Sequence, residues 1–519
     1  MTAGIASKRS SEYSLTEFQL LSELIRSHSL TTPNKAALIS DDKSINYAEF
    51  NTLLDRVAAS FQHYGVKPGD VISICGYNSI EYACVFIGAL RAGVVTAPIA
   101  PSVTSEQFNS MLSDSGAKFL FVDDAAEKLL AKLQPNLECI SLNSSISGTS
   151  LEHWMVPEGA VPRSVKIGPD APFNIIYSSG TTGTPKGILQ SHGMRWAHTV
   201  RAKAYGFESS SRTLSSTPLY SNTTLVLFFP TIAFGGTVTL MKKFDAKKYL
   251  EIAAKQKITH TMLVPIQYQR IMAVDDFCSY DMSAFRMKLC TSAPFHADLK
   301  KDVLKRWPGG LIEIYGMTEG GGSCILYAHN HPDKLHTVGK PAEGHEIRLL
   351  TNDEQEPAPG QAGEILGHSP SMMTGYYGQP EKTKEIEWIA PDKKRFFRSG
   401  DIGMFDEDGF LSIIDRKKDM IISGGFNIYS SDLEEILRRQ EEVIEAAVVG
   451  VPSDKWGETP VAYVKIFSNF KGSEQDILNR VNEKLGSVQR ISDLRFIKEL
   501  PRSSIGKVLK KDLISEYCK

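Results

Sequence analysis

The run Tyr-Ser-Ser-Gly-Thr-Thr-Gly-Thr-Pro-Lys-Gly, Tyr177–Gly187, concentrates the chemistry of this chain. Its eleven residues carry three glycines, five serine or threonine hydroxyls and one lysine. Glycines let backbone N–H groups converge, hydroxyls add donors and an ammonium adds charge, a combination that cradles phosphate oxygens. The helical phosphate loop needs glycine directly before its lysine and a helix directly after it. Here Pro185 precedes Lys186 and disfavours a helical Thr184, so a helix dipole is not the expected phosphate ligand. The apolar runs Phe173–Ile176 and Ile188–Gln190 read as extended segments on either side, which argues against a solvated linker.

Four further segments set polar groups where apolar runs end. In Tyr315-Gly316-Met317-Thr318-Glu319, a tyrosine face suits a stacked base and a carboxylate near a phosphate loop suits Mg²⁺. Phe397-Arg398-Ser399-Gly400-Asp401 ends in a carboxylate able to accept from two ribose hydroxyls, and Arg416 could donate to the same sugar. Pro501–Lys507 carries a lysine on a glycine-bearing loop. Singly, each has a plainer explanation: Tyr315 as core, Asp401 as a turn cap, Arg416 and Lys507 as surface charges.

The elements that must position these groups alternate. Val71–Cys75, a helical Ile80–Ala92, Val94–Pro98, Phe119–Val122 and Phe173–Ile176 give the rhythm of helices packed on largely parallel sheets. From about His336 to Asp415, turn signals at Glu343-Gly344, Pro359-Gly360 and Asp408-Gly409 predict a small strand-rich unit. Beyond Asp419 an α+β pattern follows, with a capping box at Ser431–Glu434 opening a helix that carries Leu433, Ile436 and Leu437 on one face. Strands are expected near Ala446–Val451, Val461–Phe467 and Leu494–Leu500, and a helix near Gln475–Leu485. Thr223–Met241 has 19 residues without charge, but Pro230 and Gly235-Gly236 make it a buried helix–turn–strand rather than a membrane span.

With 519 residues, 42% hydrophobic side chains and a net charge of −2, the chain has room for several cores and no basic excess for nucleic acid or an anionic membrane. Seven scattered cysteines without a CxxC pair fit a reducing compartment, with neither disulfide frame nor zinc site. With no apolar signal segment in the polar N-terminus, a cytoplasmic location is expected.

Together, in this order, the motifs resemble the adenylate-forming enzymes: acyl-CoA synthetases, firefly-type luciferases and peptide-synthetase adenylation domains. Ile45–Glu49, Leu90–Gly93, Gly363–Ile365 and Gly375–Tyr377 extend the likeness over about Thr16 to Leu513. The resemblance implies an α/β fold: a large N-terminal domain (1–417) of two α/β subdomains plus a small β-barrel, and a small mobile α+β C-terminal domain (418–519). It implies that Ser178, Ser179, Gly180, Thr181, Thr182, Gly183, Thr184 and Lys186 hold the ATP phosphates. Ser292, Ala293 and Pro294 with Tyr315, Gly316 and Met317 would flank adenine. Thr318 and Glu319 would sit at the reacting centre, Glu319 binding Mg²⁺ with Thr181 nearby. Asp401 and Arg416 would take the ribose, and Lys507 would reach the carboxylate and α-phosphate. Lys418 would be the hinge, and Gly424 and Gly425 would line the pantetheine tunnel.

The implied reaction joins a carboxylic acid to CoA at the expense of ATP, through an acyl adenylate. Two other readings are an adenylating enzyme that serves a carrier protein and an amino-acid-activating domain. An amino-acid ammonium needs a buried carboxylate partner, and Thr213–Phe244 contains no Asp or Glu. Only 12 residues follow Lys507, so no carrier domain is expected. Tyr220, Ser221, Asn222, Leu225 and Phe228 are the expected acid-pocket residues, with Gly320, Gly321 and Gly322 as an unobstructed wall suited to a fatty or aryl acid. Arg195 is expected on a helix surface rather than paired with a second carboxylate. Homodimers occur in the family. The chain departs from the family pattern at Ser221 (usually His), Phe426 (commonly Glu) and Ser430 (usually Pro), and lacks a Tyr-Lys-x-Pro around Leu485–Arg490.

Overall fold

The computed structural model describes residues 17–518 except 42, 134–136, 144–147, 179–185, 424–425, 455, 469, 487–488 and 504–505. Two large sheets carry the first part of the chain. One has eight strands, with Lys186–Ser191 and Pro172–Ser178 next to Val95–Ile99, Val71–Cys75 and Leu120–Val122. The other has nine; Gly310–Gly316, Met287–Cys290, His260–Leu263, Arg212–Ser215 and Thr237–Leu240 form its parallel middle. The chain enters the nine-stranded sheet at Ala36–Ser40, leaves to build the other, and then returns.

Two of the sequence segments have plain mechanical roles. Asn46 caps the helix Tyr47–His63: its Oδ1 accepts from Glu49 N (2.9 Å) and Glu49 Oε2 accepts from Asn46 N (2.8 Å). Arg91 ends the helix Ile80–Arg91 buried, donating to Asp55 Oδ1 (2.8 Å) and to the Ser22 carbonyl (2.9 Å). The apolar faces of both helices share one core with Phe121, Trp154, Phe173 and Phe229.

Thr223–Met241 is the expected buried helix and strand, Asn222–Ala233 and Thr237–Leu240. No helix among the described residues is long and apolar enough to cross a membrane, and the seven cysteines form no disulfide.

Where the small strand-rich unit is expected, Glu346–Leu350, Gly363–His368, Arg395–Phe405, Glu387–Ile389 and Leu411–Arg416 form an antiparallel five-stranded sheet. A tight turn follows, with Asp419 N donating to Arg416 O (2.9 Å) and Lys417 N to Gly400 O (2.8 Å). A fourth sheet then gathers Phe426–Ile428, Ile421–Ser423, Gly457–Ile466, Val443–Ser453 and Asp493–Phe496. The helix Ser430–Arg438 packs on it through Leu433 and Leu437.

The expected capping box at Ser431–Glu434 is not formed. The helix starts one residue earlier, after Tyr429, with no side-chain cap. Ser430 Oγ donates to Asp415 Oδ2 (2.8 Å), Ser431 Oγ to the Ile414 carbonyl, and Glu434 Oε1 accepts from Val448 N (2.9 Å). Tertiary partners thus take the side chains that would have closed the box.

Candidate active site

The phosphate-loop hairpin is legible from its two legs. Pro172–Ser178 and Lys186–Ser191 pair antiparallel, with Ser178 opposite Lys186. The tip residues Ser179, Gly180, Thr181, Thr182, Gly183 and Thr184 lie outside the described residues. Lys186 opens a strand, not a helix, as Pro185 predicts. The edge pair Gly375–Tyr376 adds on beyond it, Tyr376 opposite Ile188.

That addition places Tyr376 between two site groups. Its ring lies 5.1 Å from Lys186 Nζ, and its hydroxyl donates to Glu319 Oε1 (2.8 Å). Burial first, then the Glu319 charge, pushes the phenol far up, so it stays a donor. The Glu319 carbonyl accepts from Met373 N (2.7 Å), and Gln190 Nε2 donates to the Thr318 carbonyl (2.8 Å). Tyr376 carries no role in the sequence analysis beyond its place in Gly375–Tyr377, and its position beside the phosphate-loop leg emerges only from the strand pairing.

The residues expected at adenine lie at the ends of adjacent parallel strands, where α/β sheets bind ligands. Ser292, Ala293 and Pro294 follow Met287–Cys290, and Tyr315 and Gly316 end Gly310–Gly316. Ser292 has φ +82, a left-handed conformation costly for serine. Its hydroxyl shares a 2.7 Å hydrogen bond with Thr223 Oγ1. Met317 packs with Ile188, Met194, Met373 and Phe397 beneath the site.

Tyr315 donates to Asp401 Oδ2 (2.9 Å), and Arg416 Nε lies 3.3 Å from Asp401 Oδ1, the two residues facing across the pair Arg395–Phe405 and Leu411–Arg416. Gly400, φ +72, makes the bend that delivers Asp401. The three residues expected at the base and ribose are therefore one connected cluster.

Lys507 comes to this cluster from the far end of the chain. Its loop is closed by the bridge Arg502↔Val508, by Ser503 N donating to Lys507 O (2.8 Å) and by Arg502 donating to Gly506 O (2.7 Å). Gly506, φ +81, sits against Ile266 of the nine-stranded-sheet unit. Burial first, then the neighbouring Arg416 and Lys418, lower the Lys507 ammonium to about 8 against the opposing pull of Asp401 and Glu319. Lys418 lies in the turn after Leu411–Arg416, and burial shifts it down as well. Gly424 and Gly425 lie outside the described residues. A cleft with about 720 Å³ of open space runs between the two units, lined by Ser221, Thr223, Gln267, Arg270, Ser503 and Gly506.

The acid-pocket candidates divide. Ser221 lines that cleft, Tyr220 and Asn222 are half-buried, but Leu225 and Phe228 are 1% exposed and belong to the core. Arg195 is not a surface residue: it is 3% exposed, between Phe173 and Phe229. The unobstructed wall expected at Gly320–Gly322 is also corrected. A Cβ at Gly320 would overlap the Ser371 carbonyl, one at Gly322 the Ile347 side chain, and one at Gly321 would meet Gly367 O at 3.1 Å. Close packing fills the space beside these glycines, and at Gly320 it is backbone that fills it.

Among the described residues no group of three or more His, Cys, Asp or Glu could hold a metal. A single carboxylate such as Glu319, one of its oxygens fixed by Tyr376, fits an ion bound largely through phosphate oxygens and water, as Mg²⁺ is.

Comparison with known proteins agrees with this arrangement. Residues 25–377 match the family described as AMP-binding enzyme, and residues 432–507 match the AMP-binding enzyme C-terminal domain. The chain is 31% identical to an indoleacetate–CoA ligase of Aromatoleum aromaticum, over 95% of this chain and 97% of that protein. It is 28% identical to the long-chain-fatty-acid–CoA ligase FadD13 of Mycobacterium tuberculosis, over 95% and 98%. The o-succinylbenzoate CoA synthetase MenE of Bacillus subtilis, solved with its acyl-adenylate intermediate, superposes with a TM-score of 0.82 at 25% identity, covering 94% of this chain and 97% of that one. With its own α/β sheets converging on the matched motifs, the chain belongs to the AMP-binding enzyme family.

Proposed function

We propose that this chain is an ATP-dependent carboxylic acid–CoA ligase that works through an acyl adenylate, with a fatty or aryl acid as substrate. The observation that supports it most directly is the convergence of Lys507 with Asp401, Arg416 and Glu319, opposite Lys186 and Tyr376. Similarity to proteins named as CoA ligases supports CoA as the acceptor.

In the first step an acid carboxylate attacks the α-phosphorus of ATP and pyrophosphate leaves. Two anions must approach and charge grows on the equatorial oxygens, so fixed positive charge matters more than a general base. Lys186 would hold the leaving phosphates and Lys507 the attacking carboxylate and α-phosphate. Tyr315 would cover adenine, and Asp401 with Arg416 would fix the ribose. Mg²⁺, held by Glu319 and the phosphates, would supply further charge neutralisation. In the second step the CoA thiol, as thiolate, attacks the acyl carbon and AMP leaves. Lys418 is the proposed pivot, dividing the chain into 1–417 and 418–519, and rotation about it would withdraw Lys507 and admit the thiol along Gly424 and Gly425.

The test is a panel of fatty and aryl acids assayed for ATP–pyrophosphate exchange and for thioester formation with and without CoA. Acid-dependent exchange with CoA-dependent thioester supports the proposal. Exchange without any thioester from CoA refutes CoA as acceptor, and no exchange with any acid refutes the activity.

A further inference from the structure

Arg195 sits at the centre of a polar chain that the reaction scheme does not use. Its Nε donates to Asn174 Oδ1 (3.0 Å) and its Nη1 to Asn222 Oδ1 (2.8 Å). Asn174 Nδ2 donates to Gln190 Oε1 (3.1 Å), and Gln190 Nε2 donates to the Thr318 carbonyl. Asn174 and Gln190 are fully buried, and Arg195 has no carboxylate partner among the described residues.

A guanidinium has donors only. Each amide that touches it must therefore turn its oxygen toward Arg195 and its NH₂ away. On the Asn174 branch this polarity runs outward to a backbone acceptor, the Thr318 carbonyl. On the Asn222 branch it ends with an NH₂ group that has no acceptor among the described residues. Asn222 is half-buried at the start of its helix, between Ser221 and Thr223, which line the cleft. The second guanidinium nitrogen, Nη2, is buried without a partner, so the positive field of Arg195 is uncompensated behind the same amide.

We propose that Arg195 locks Asn222 as a fixed hydrogen-bond donor in the acid pocket, so that the enzyme selects carboxylic acids carrying an oxygen acceptor (keto, ether or second carboxylate) on the chain or ring. The inference rests on the acid-activating reading above and names its substrate class. Asn222 is the specificity residue that touches the acid; Arg195 is a positioning residue that acts through it. A site built to donate to an oxygen discriminates against the analogue that lacks it, because the donor is then left unpaired.

The experiment compares kcat/KM for pyrophosphate exchange within matched acids: octanoate, 7-oxooctanoate and suberate, and 3-phenylpropanoate with its ortho-, meta- and para-methoxy derivatives. At least one acceptor-bearing acid should exceed its hydrocarbon parent by roughly tenfold or more. Asn222→Asp keeps an oxygen for Arg195 to grip, removes the amide donor and adds a carboxylate charge that the guanidinium faces. It should collapse that ratio to near one, mainly through KM of the oxygenated acid, while the melting temperature holds. Asn222→Leu should also remove the preference, and Arg195→Met, where it folds, should reduce it. A purely anchoring Asn222 would leave the ratio unchanged in Asn222→Asp, which overturns the proposal. Exchange with every acid but a preference for the hydrocarbon members also overturns it, leaving the ligase reading intact. No exchange with any acid overturns both.

Discussion

Burial of Lys507 predicts a pH limb that belongs to one half-reaction. Moving the ammonium from its usual 10.5 to about 8 corresponds to about 3 kcal/mol favouring the neutral amine in the folded protein. The unfolded chain keeps its proton to higher pH. The group therefore destabilises the fold below about pH 8, and this penalty disappears as pH rises through the unfolded value. Activity runs the other way, because only the ammonium can stabilise charge on the α-phosphate. About ten of eleven copies are charged near pH 7 and about one in eleven near pH 9, so kcat/KM for pyrophosphate exchange should fall roughly tenfold between them. Bound polyphosphate favours the ammonium, so kcat should hold to higher pH than kcat/KM. Lys507→Gln should lower exchange by roughly 10²- to 10³-fold and abolish the limb. It should spare thioester formation from supplied acyl adenylate. An unchanged limb in Lys507→Gln, or equal loss in both half-reactions, refutes the assignment.

Three other perturbations address separate parts of the site. Tyr376→Phe removes the donor to Glu319 and should slow exchange by roughly tenfold while raising the Mg²⁺ concentration needed for half-maximal rate; a wild-type Mg²⁺ titration would count against it. Gly320→Ala combines φ +91 with overlap of the Ser371 carbonyl and should cost more than about 2 kcal/mol, read as a melting temperature several degrees lower. Melting at the wild-type temperature would mean that the backbone there relaxes freely. Lys418→Pro should preserve exchange and depress CoA-thioester output, because it restricts the backbone at the proposed pivot; two unchanged rates would place the pivot elsewhere.

The alternating strands and helices from Val71 to Cys290 were legible because each is a dense apolar run bounded by polar turns, and Val71–Cys75 forms a strand with the expected bounds. The motif residues were legible through the family resemblance, and Tyr315, Asp401, Arg416 and Lys507 do converge from distant parts of the chain. Three features were hidden because their cause lies across the fold. Arg195 reads as a surface charge on a helix, since nothing local reveals that Asn174, sixteen residues before Gln190 and on another strand, supplies its partner. Gly320–Gly322 reads as open space, since the backbone filling that space comes from residues near Gly367 and Ser371. Ser431–Glu434 has the spacing of a capping box, but the Ile414 carbonyl and the strand at Val448 compete for its side chains.

Ser430 gives the junction between the two units a catch. Its hydroxyl donates to Asp415 three residues before Lys418 and also accepts from Lys510 Nζ, on the same terminal segment as Lys507. A swing about the proposed pivot Lys418 would have to release the Asp415 bond, the one of the two that crosses it. At about 1 kcal/mol net, the Asp415 bond would weight the two proposed postures by roughly fivefold. Proline, the more usual residue of the family at this position, has no hydroxyl with which to make them. With Lys418 as the proposed pivot, the serine would lengthen the dwell in the adenylating posture, so a reactive anhydride would stay sheltered from water until the thiol's turn comes.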